Sequence, residues 1–258
     1  MTSIISSLSV AQVQSLTTTQ IASLSTADAN ALSTAQVQGL LTTQIPYFSA
    51  VDIAQISTAA LALLSTTQIA VISTKDVTAL TVAQVSNLTT AQVQSLSAGQ
   101  VAALTTKQLS VVAAQLSTGQ LSLIGTAQAS GLTTTAIAHI SAVATTNLAS
   151  LSTQALGVFT SAQVNALSTN LSTTQIAALS VTGITGLSTT ALNTISTADL
   201  QAITTKDIAA LTTAQLGGVV TTQVQLLTSL QVAALTYTQV ATIGSELSTT
   251  QIPYLTVV

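Results

Sequence analysis

The chain contains no cysteine, no tryptophan and no arginine, and only two prolines, one methionine and one histidine among its 258 residues. Without cysteine there are no disulfides, no thiolate nucleophile and no thiolate metal site. Charged residues make up 3% of the sequence, where ordinary domains carry about 25%. Three lysines cannot line a phosphate-binding surface, so nucleic acid is excluded as a partner, and the pull of an anionic membrane surface is excluded for the same reason. Aromatics are 2%, so any core is built from Leu, Ile, Val and Ala. Mean hydropathy is high, at +0.67. Yet hydroxyl residues interrupt the apolar ones throughout, and no run approaches the roughly 18–20 residues of a spanning helix. Membrane insertion is therefore not expected. The start, Met-Thr-Ser-Ile-Ile-Ser-Ser, lacks the basic and apolar regions of a signal peptide.

What the chain has instead is one eight-residue pattern from end to end. Leu8, Leu16, Leu24, Leu32, Leu40, Phe48, Ile56 and Leu64 open successive octads without a slip. Counting from that residue as position 1, positions 2 and 3 are mostly Ser or Thr, and position 6 is mostly Val, Ile or Leu. Position 5 is Gln in 18 of 29 octads and Asp in five. Those five, Asp28, Asp52, Asp76, Asp199 and Asp207, are every aspartate in the protein; Lys75, Lys107 and Lys206, every lysine, stand at position 4. A fixed short period signals a repeat architecture. One octad cannot bury its own apolar face, so it must stack on others, and the expected fold is a single solenoid over residues 1–258.

The octad cannot belong to one long helix. Eight residues advance about 800° at 3.6 per turn, leaving about 80° of drift per repeat and no apolar stripe. The unit must restart each time. Ser or Thr at position 2 with Gln at position 5 is a capping box, which marks a helix start. In Leu-Ser-Thr-Thr-Gln-Ile-Ala-Ala-Leu, residues 171–179, Ser172 would be the N-cap and Gln175 the N3 residue. The fold class expected is therefore an all-α repeat solenoid of very short capped helical turns. A β-solenoid is the alternative. Thr, Val and Ile favour strands, Pro46 and Pro253 at position 7 are poor helix residues, and Val181-Thr-Gly-Ile-Thr-Gly-Leu carries two glycines. The register breaks at 112–116, 148–151, 167–171 and 243–247, by four, three, four and four residues. Composition does not change across the breaks, so they read as corrections to a coil or as bulges and not as linkers.

The strings Leu-Thr-Thr-Ala-Gln-Val-Gln-Ser-Leu (88–96) and Leu-Ser-Thr-Thr-Gln-Ile-Ala-Ala-Leu (171–179) resemble the octapeptide arrays of very large bacterial secreted and surface proteins of the haem-utilisation or adhesion exoprotein type. Locally, the second string also resembles the helix-opening segment of TAL-effector repeats. The exoprotein resemblance implies an extracellular or cell-surface location and a structural or adhesive role, with no catalytic residues.

No constellation for chemistry is visible. His139 is the sole histidine, with no Asp or Glu within fifty residues, and reads as a surface side chain. The 24-residue spacing of Asp28, Asp52 and Asp76 is three octads. If one coil held three octads they would stack in a column; exchange of Gln for Asp within the repeat is the simpler reading. Serine and threonine are abundant, but a nucleophile needs a positioned base. Gly217-Gly218 has no following lysine and makes no phosphate loop. Tyr47 and Tyr254 close matching Gln-Ile-Pro-Tyr strings. The expectation is a protein that is not an enzyme and holds no cofactor and no metal. Solenoids normally close with polar caps, and here apolar residues stand at both extremes: Ile4, Ile5 and Leu8, and Tyr254, Leu255, Val257 and Val258. These residues are the candidates for head-to-tail assembly with further copies, giving an extracellular filament or matrix secreted without an N-terminal signal peptide. Rows of Ser and Thr binding a cell surface, a polysaccharide or ice are the alternative.

Overall fold

In the computed structural model, which describes residues 5–143, 150–167 and 171–256, the octads fold as short helices of four to seven residues, one per repeat (Thr134–Val143 is longer, at ten). No strand occurs among the described residues, and the β-solenoid alternative is set aside. Isolated helices shorter than about 12–15 residues are marginal in water, so these depend on their caps and on packing. The caps are regular. In Ala98–Ala103, the Ser97 hydroxyl accepts from the Gln100 backbone amide while Gln100 Oε1 accepts from the Ser97 backbone amide, closing the capping box. The same reciprocal pair recurs, for example at Thr89 with Gln92 and at Thr236 with Gln239. Position 2 thus commits its hydroxyl to the backbone.

The expected helix breakers are absorbed. Pro46 and Pro253 lie in 3₁₀ turns, Ile45–Tyr47 and Ile252–Tyr254, at positions where the missing N–H is not needed. In the glycine pair, Gly183 lies inside the helix Val181–Ile184, and Gly186 lies so close to the backbone of Ser161 that a Cβ there would overlap its carbonyl.

The chain divides into two compact units, Met1–Leu123 and Ile124–Val258. Within each, a helix packs on the one three octads further along. In the first unit, Ala50–Ile53 meets Thr74–Ala79 and Val82–Ser86 meets Thr106–Val112; in the second, Val181–Ile184 meets Thr205–Ala210 and Thr213–Gly217 meets Tyr237–Ile243. A coil therefore holds about three octads, and the residues 24 apart form columns. Position 6 supplies the centre of the core, with Val37, Val93, Val101, Ile208 and Val232 fully buried, and the position 1 residues surround it. The core is mostly aliphatic, with Phe48 and Phe159 buried at two of the position 1 sites.

Two register breaks are described in full. At the first, Thr106–Val112 runs on into a 3₁₀ turn, Ala113–Gln115; at the fourth, Tyr237–Ile243 runs on into Gly244–Glu246. In each a four-residue segment takes the place of a whole octad in the coil. The breaks at 148–151 and 167–171 fall partly outside the described residues.

Candidate functional site

The recurring polar chemistry of this chain joins successive coils, and position 5 carries it. Most of the glutamines at this position use both ends of the amide. The oxygen caps its own helix, as above, and the nitrogen reaches into the coil beneath. Gln100 Nε2 donates to the carbonyls of Ile69 at 3.0 Å and Ile72 at 2.7 Å. Gln36 does the same with Ile5 and Leu8, Gln84 with Ile53 and Ile56, and Gln108 with Val77 and Leu80. In the second unit the pairs are Gln215 with Ile184 and Leu187, Gln231 with Leu200 and Ile203, and Gln239 with Ile208 and Leu211. In these pairs the offsets are 31 and 28 residues, while Gln68 and Gln92 take the carbonyls 30 and 28 residues back. These carbonyls lie at and just past the ends of the short helices beneath, where acceptors run short of intrahelical donors; the position 6 carbonyl also accepts the backbone amide three residues on, as Ile69 does from Ile72 at 3.2 Å. A buried polar group must be hydrogen-bonded or it destabilises the fold. Gln100, 2% exposed, has its oxygen and both amide hydrogens engaged.

After the first and fourth breaks the offsets become 27 and 24: Gln120 reaches Val93 and Leu96, and Gln251 reaches Val224 and Leu227. The half-octads supply no such amide. Buried groups near the first of them stay without partners, namely the Ser110 hydroxyl and Gln115 Oε1.

An outer ladder runs the other way. Side chains at position 7 donate to a carbonyl 25 residues later: Gln14 to Gly39 at 2.9 Å, Thr78 to Ala103 at 3.1 Å, Asn193 to Gly218 at 2.9 Å and Gln201 to Leu226 at 3.1 Å. These bonds are exposed and shield no apolar surface.

The octad opened by Val219 departs from the scheme in its bonding. Val220 stands where a hydroxyl residue normally caps, and its backbone amide goes instead to Asn193 Oδ1 at 2.8 Å. Gln223 Oε1 is left buried without a partner, and its nitrogen makes two long bonds, each 3.3 Å, to Asn193 and Ile195.

Of the seven sequence-predicted assembly residues, Ile4, Val257 and Val258 lie outside the described residues. Ile5 is buried and gives its carbonyl to Gln36, Leu8 and Leu255 are half-buried, and Tyr254 is half exposed. Two residues that the sequence did not single out are Gln12 and Gln20. They cap their helices like the others, yet both are exposed and their amide nitrogens engage no carbonyl among the described residues. At the other extreme, the Val232 and Leu235 carbonyls accept no glutamine amide among the described residues. The pairing of Gln with Ser or Thr signalled the cap in the sequence; nothing local signalled the amide's second set of partners.

Asp28, Asp52 and Asp76 do form a column, on helices that pack in succession. Asp52 and Asp76 are buried and Asp28 half-buried. Each carboxylate accepts from its own cap hydroxyl, Ser25, Ser49 or Ser73. Burial pushes the Asp76 carboxyl above its ordinary value, against the opposing pull of the Ser73 hydroxyl, Lys75 and the Ser73 backbone amide. No group of three or more metal-ligating side chains occurs among the described residues, and His139 is exposed. A small, partly enclosed cavity in the second unit, about 30 Å³, is lined mainly by Val164, Leu167, Leu171, Ile176, Leu187 and Ile195, and has room for about one water. No helix among the described residues is long and apolar enough to cross a membrane.

Among known families, the ALTTAQ repeat matches at two regions, residues 69–106 and 200–237. Both lie in stretches where the octad register is unbroken and the glutamine ladder is formed. No curated protein and no solved structure matches the chain.

Proposed function

We propose that this chain is a structural subunit of an extracellular filament or matrix, joined head to tail with further copies of itself. The observation that carries the proposal is the self-complementarity of a coil. One face presents position 5 amide donors and the other presents carbonyls at the helix ends, so a glutamine-bearing coil face fits the opposite face of another coil. Gln12 and Gln20 hold donors of this kind in an exposed state, while Val232 and Leu235 hold matching acceptors. Such a contact is heterologous, and it propagates into a filament unless its rotation closes a ring. The near absence of charge leaves little to repel an approaching copy.

Electron microscopy of the purified protein over a concentration series tests this. The expected result is uniform filaments that shorten when Gln12 and Gln20 are both replaced by alanine. A protein that stays monomeric at high concentration overturns the proposal. It would turn attention to the adhesive alternative, in which exposed Ser and Thr side chains on the outer surface meet a polysaccharide or cell surface.

A further inference from the structure

Three carbonyls of one coil form the seat for a position 5 amide of the next. Gln44 Nε2 uses all three: it donates to Val13 at 3.0 Å, to Gln14 at 3.2 Å and to Leu16 at 2.9 Å. Those residues hold positions 6, 7 and 1. Gln84 and Gln108 span the same three, with the middle bond at 3.4 Å in each. In the second unit the corresponding residues Val232, Ala233 and Leu235 make a seat that no glutamine amide reaches among the described residues. The Thr256 hydroxyl takes its middle carbonyl instead, donating to Ala233 at 2.8 Å. This is a departure for a position 2 residue. Thr228 and Thr236, at position 2 of their octads, accept from the backbone amides of Gln231 and Gln239 and so serve their own helices. Thr256 reaches into the neighbouring coil.

The seat is also closed. Val232 is 0% exposed and Leu235 1%, so an amide from another copy reaches their carbonyls only if something moves aside. The turn Ile252–Tyr254 packs on Ser229–Ala233, and Leu255 and Thr256 follow it. Leu255 is half-buried and Thr256 exposed. We propose that Leu255–Thr256 is a placeholder: its hydroxyl holds the seat that Gln12 of an incoming copy takes when copies join, so that joining is an exchange. The inference rests on the head-to-tail reading above and names what holds that contact back. A hydroxyl brings one donor to the seat and an amide brings two. Gln12 is prepared for it, because the Ser9 backbone amide fixes its Oε1 at 2.8 Å, as the Leu41 amide fixes that of Gln44 at 3.0 Å.

The register of the contact follows from which seats are taken. With Gln12 over Val232, Ala233 and Leu235, Gln20 stands one octad on, over Val240, Ala241 and Ile243. With Gln20 on the first of these seats, Gln12 would fall on Val224 and Leu227, whose carbonyls Gln251 already holds at 3.1 Å and 2.9 Å. The first register gives both amides a seat and the second does not.

The test is the critical concentration for assembly of the full chain, read by sedimentation, for the wild type, for T256V, which keeps the shape and removes the hydroxyl, and for T256S, which keeps the hydroxyl. T256V is expected to lower the critical concentration about three- to tenfold, the net worth of one hydrogen bond, and T256S is expected to match the wild type. The register is read by oxidising a mixture of two single-cysteine chains, in a protein with no other thiol. Position 7 of one coil lies against position 8 of the next, as Thr78 does against the Ala103 carbonyl at 3.1 Å. Ala241 holds position 7, and Ser15 and Ser23 hold position 8, all exposed. Chains carrying A241C and S15C are therefore expected to cross-link, and chains carrying A241C and S23C are not. Filaments with an equal or higher critical concentration for T256V overturn the placeholder and leave the head-to-tail reading standing. Cross-linking through S23C in place of S15C overturns the assigned seat. A chain that never sediments, with or without the hydroxyl, overturns the head-to-tail reading and this proposal with it.

Discussion

The octad around Gln100 and the octad around Gln223 carry the same residue at position 5 and make opposite use of it. Gln100 has a serine cap, a donor for its oxygen and two short bonds to the coil beneath. Gln223 has a valine where the cap should be, a buried oxygen with no partner and two bonds of 3.3 Å. The difference teaches that the glutamine is held by its cap. When the hydroxyl residue at position 2 is present, the backbone amide at that position fixes Oε1, and Nε2 is then aimed at the carbonyls below. At Val220 another side chain, Asn193, takes that amide and Gln223 sits loosely, whereas at Leu41, which also lacks a hydroxyl, the amide stays with Gln44 Oε1 and Gln44 Nε2 reaches the coil beneath. Local capping and long-range stacking are therefore one interaction made through one side chain.

Removing that side chain is the largest way to break the comparison. Gln100→Ala takes away the glutamine half of a capping box and leaves the Ile72 carbonyl between coils without its donor, while Ile69 keeps only the Ile72 backbone amide. Lost caps cost about 1 kcal/mol and stranded buried acceptors about 1–3 kcal/mol, so a loss of about 2–4 kcal/mol is expected in chemical denaturation. Gln223→Ala, by contrast, removes two long bonds together with an oxygen that had no partner, and about 1 kcal/mol or less is expected. Equal losses at the two sites would show that the cap does not aim the amide.

Much of this was legible in the sequence and some was not. The capping box at Ser172 and Gln175 could be read from four residues, because capping is a local interaction between residues three apart. The all-α fold followed from it against the strand propensity of Thr and Val. Pro46 and Pro253 argued the wrong way because a 3₁₀ turn accommodates proline where an α-helix interior would not. The offsets of 31 and 28 were invisible, since no local rule says how many octads close a coil. For the same reason the aspartate column could be stated only as conditional on three octads per coil. The assembly candidates Leu8 and Tyr254 stand out by apolar character, whereas Gln12 and Gln20, on which the proposed head-to-tail contact rests, look like every other glutamine in the repeat.

Repair should sharpen the comparison where deletion breaks it. Val220→Thr restores the missing hydroxyl at the start of Thr221–Val224. By analogy with Thr212, whose hydroxyl bonds Gln215 Oε1 at 3.1 Å and accepts from the Gln215 backbone amide at 3.1 Å, the new side chain would give the orphaned Gln223 oxygen a partner. A gain of about 1 kcal/mol is expected, the usual size of a cap, seen as a higher denaturation midpoint with an unchanged slope. The same repair should then make Gln223→Ala more damaging than it is in the wild type. If the two changes are simply additive, cap and stack are independent at this site.

The smallest effect belongs to the outer ladder. Gln38 Nε2 reaches the Leu63 carbonyl at 3.5 Å on an exposed surface, where water can replace it. Exposed substitutions away from caps and core usually change stability by less than about 0.5 kcal/mol, and Gln38→Ala is expected to stay within that range. The inner and outer ladders both join successive coils through an amide and a carbonyl, so the hydrogen bond itself does not distinguish them. What differs is that the inner carbonyls are sealed by aliphatic side chains and the outer ones are open to solvent. A loss at Gln38 comparable with that at Gln100 would mean that the coils are held by the number of bonds between them. A loss confined to Gln100 would mean that they are held by burial, with the glutamine serving to make that burial tolerable for the carbonyls it covers.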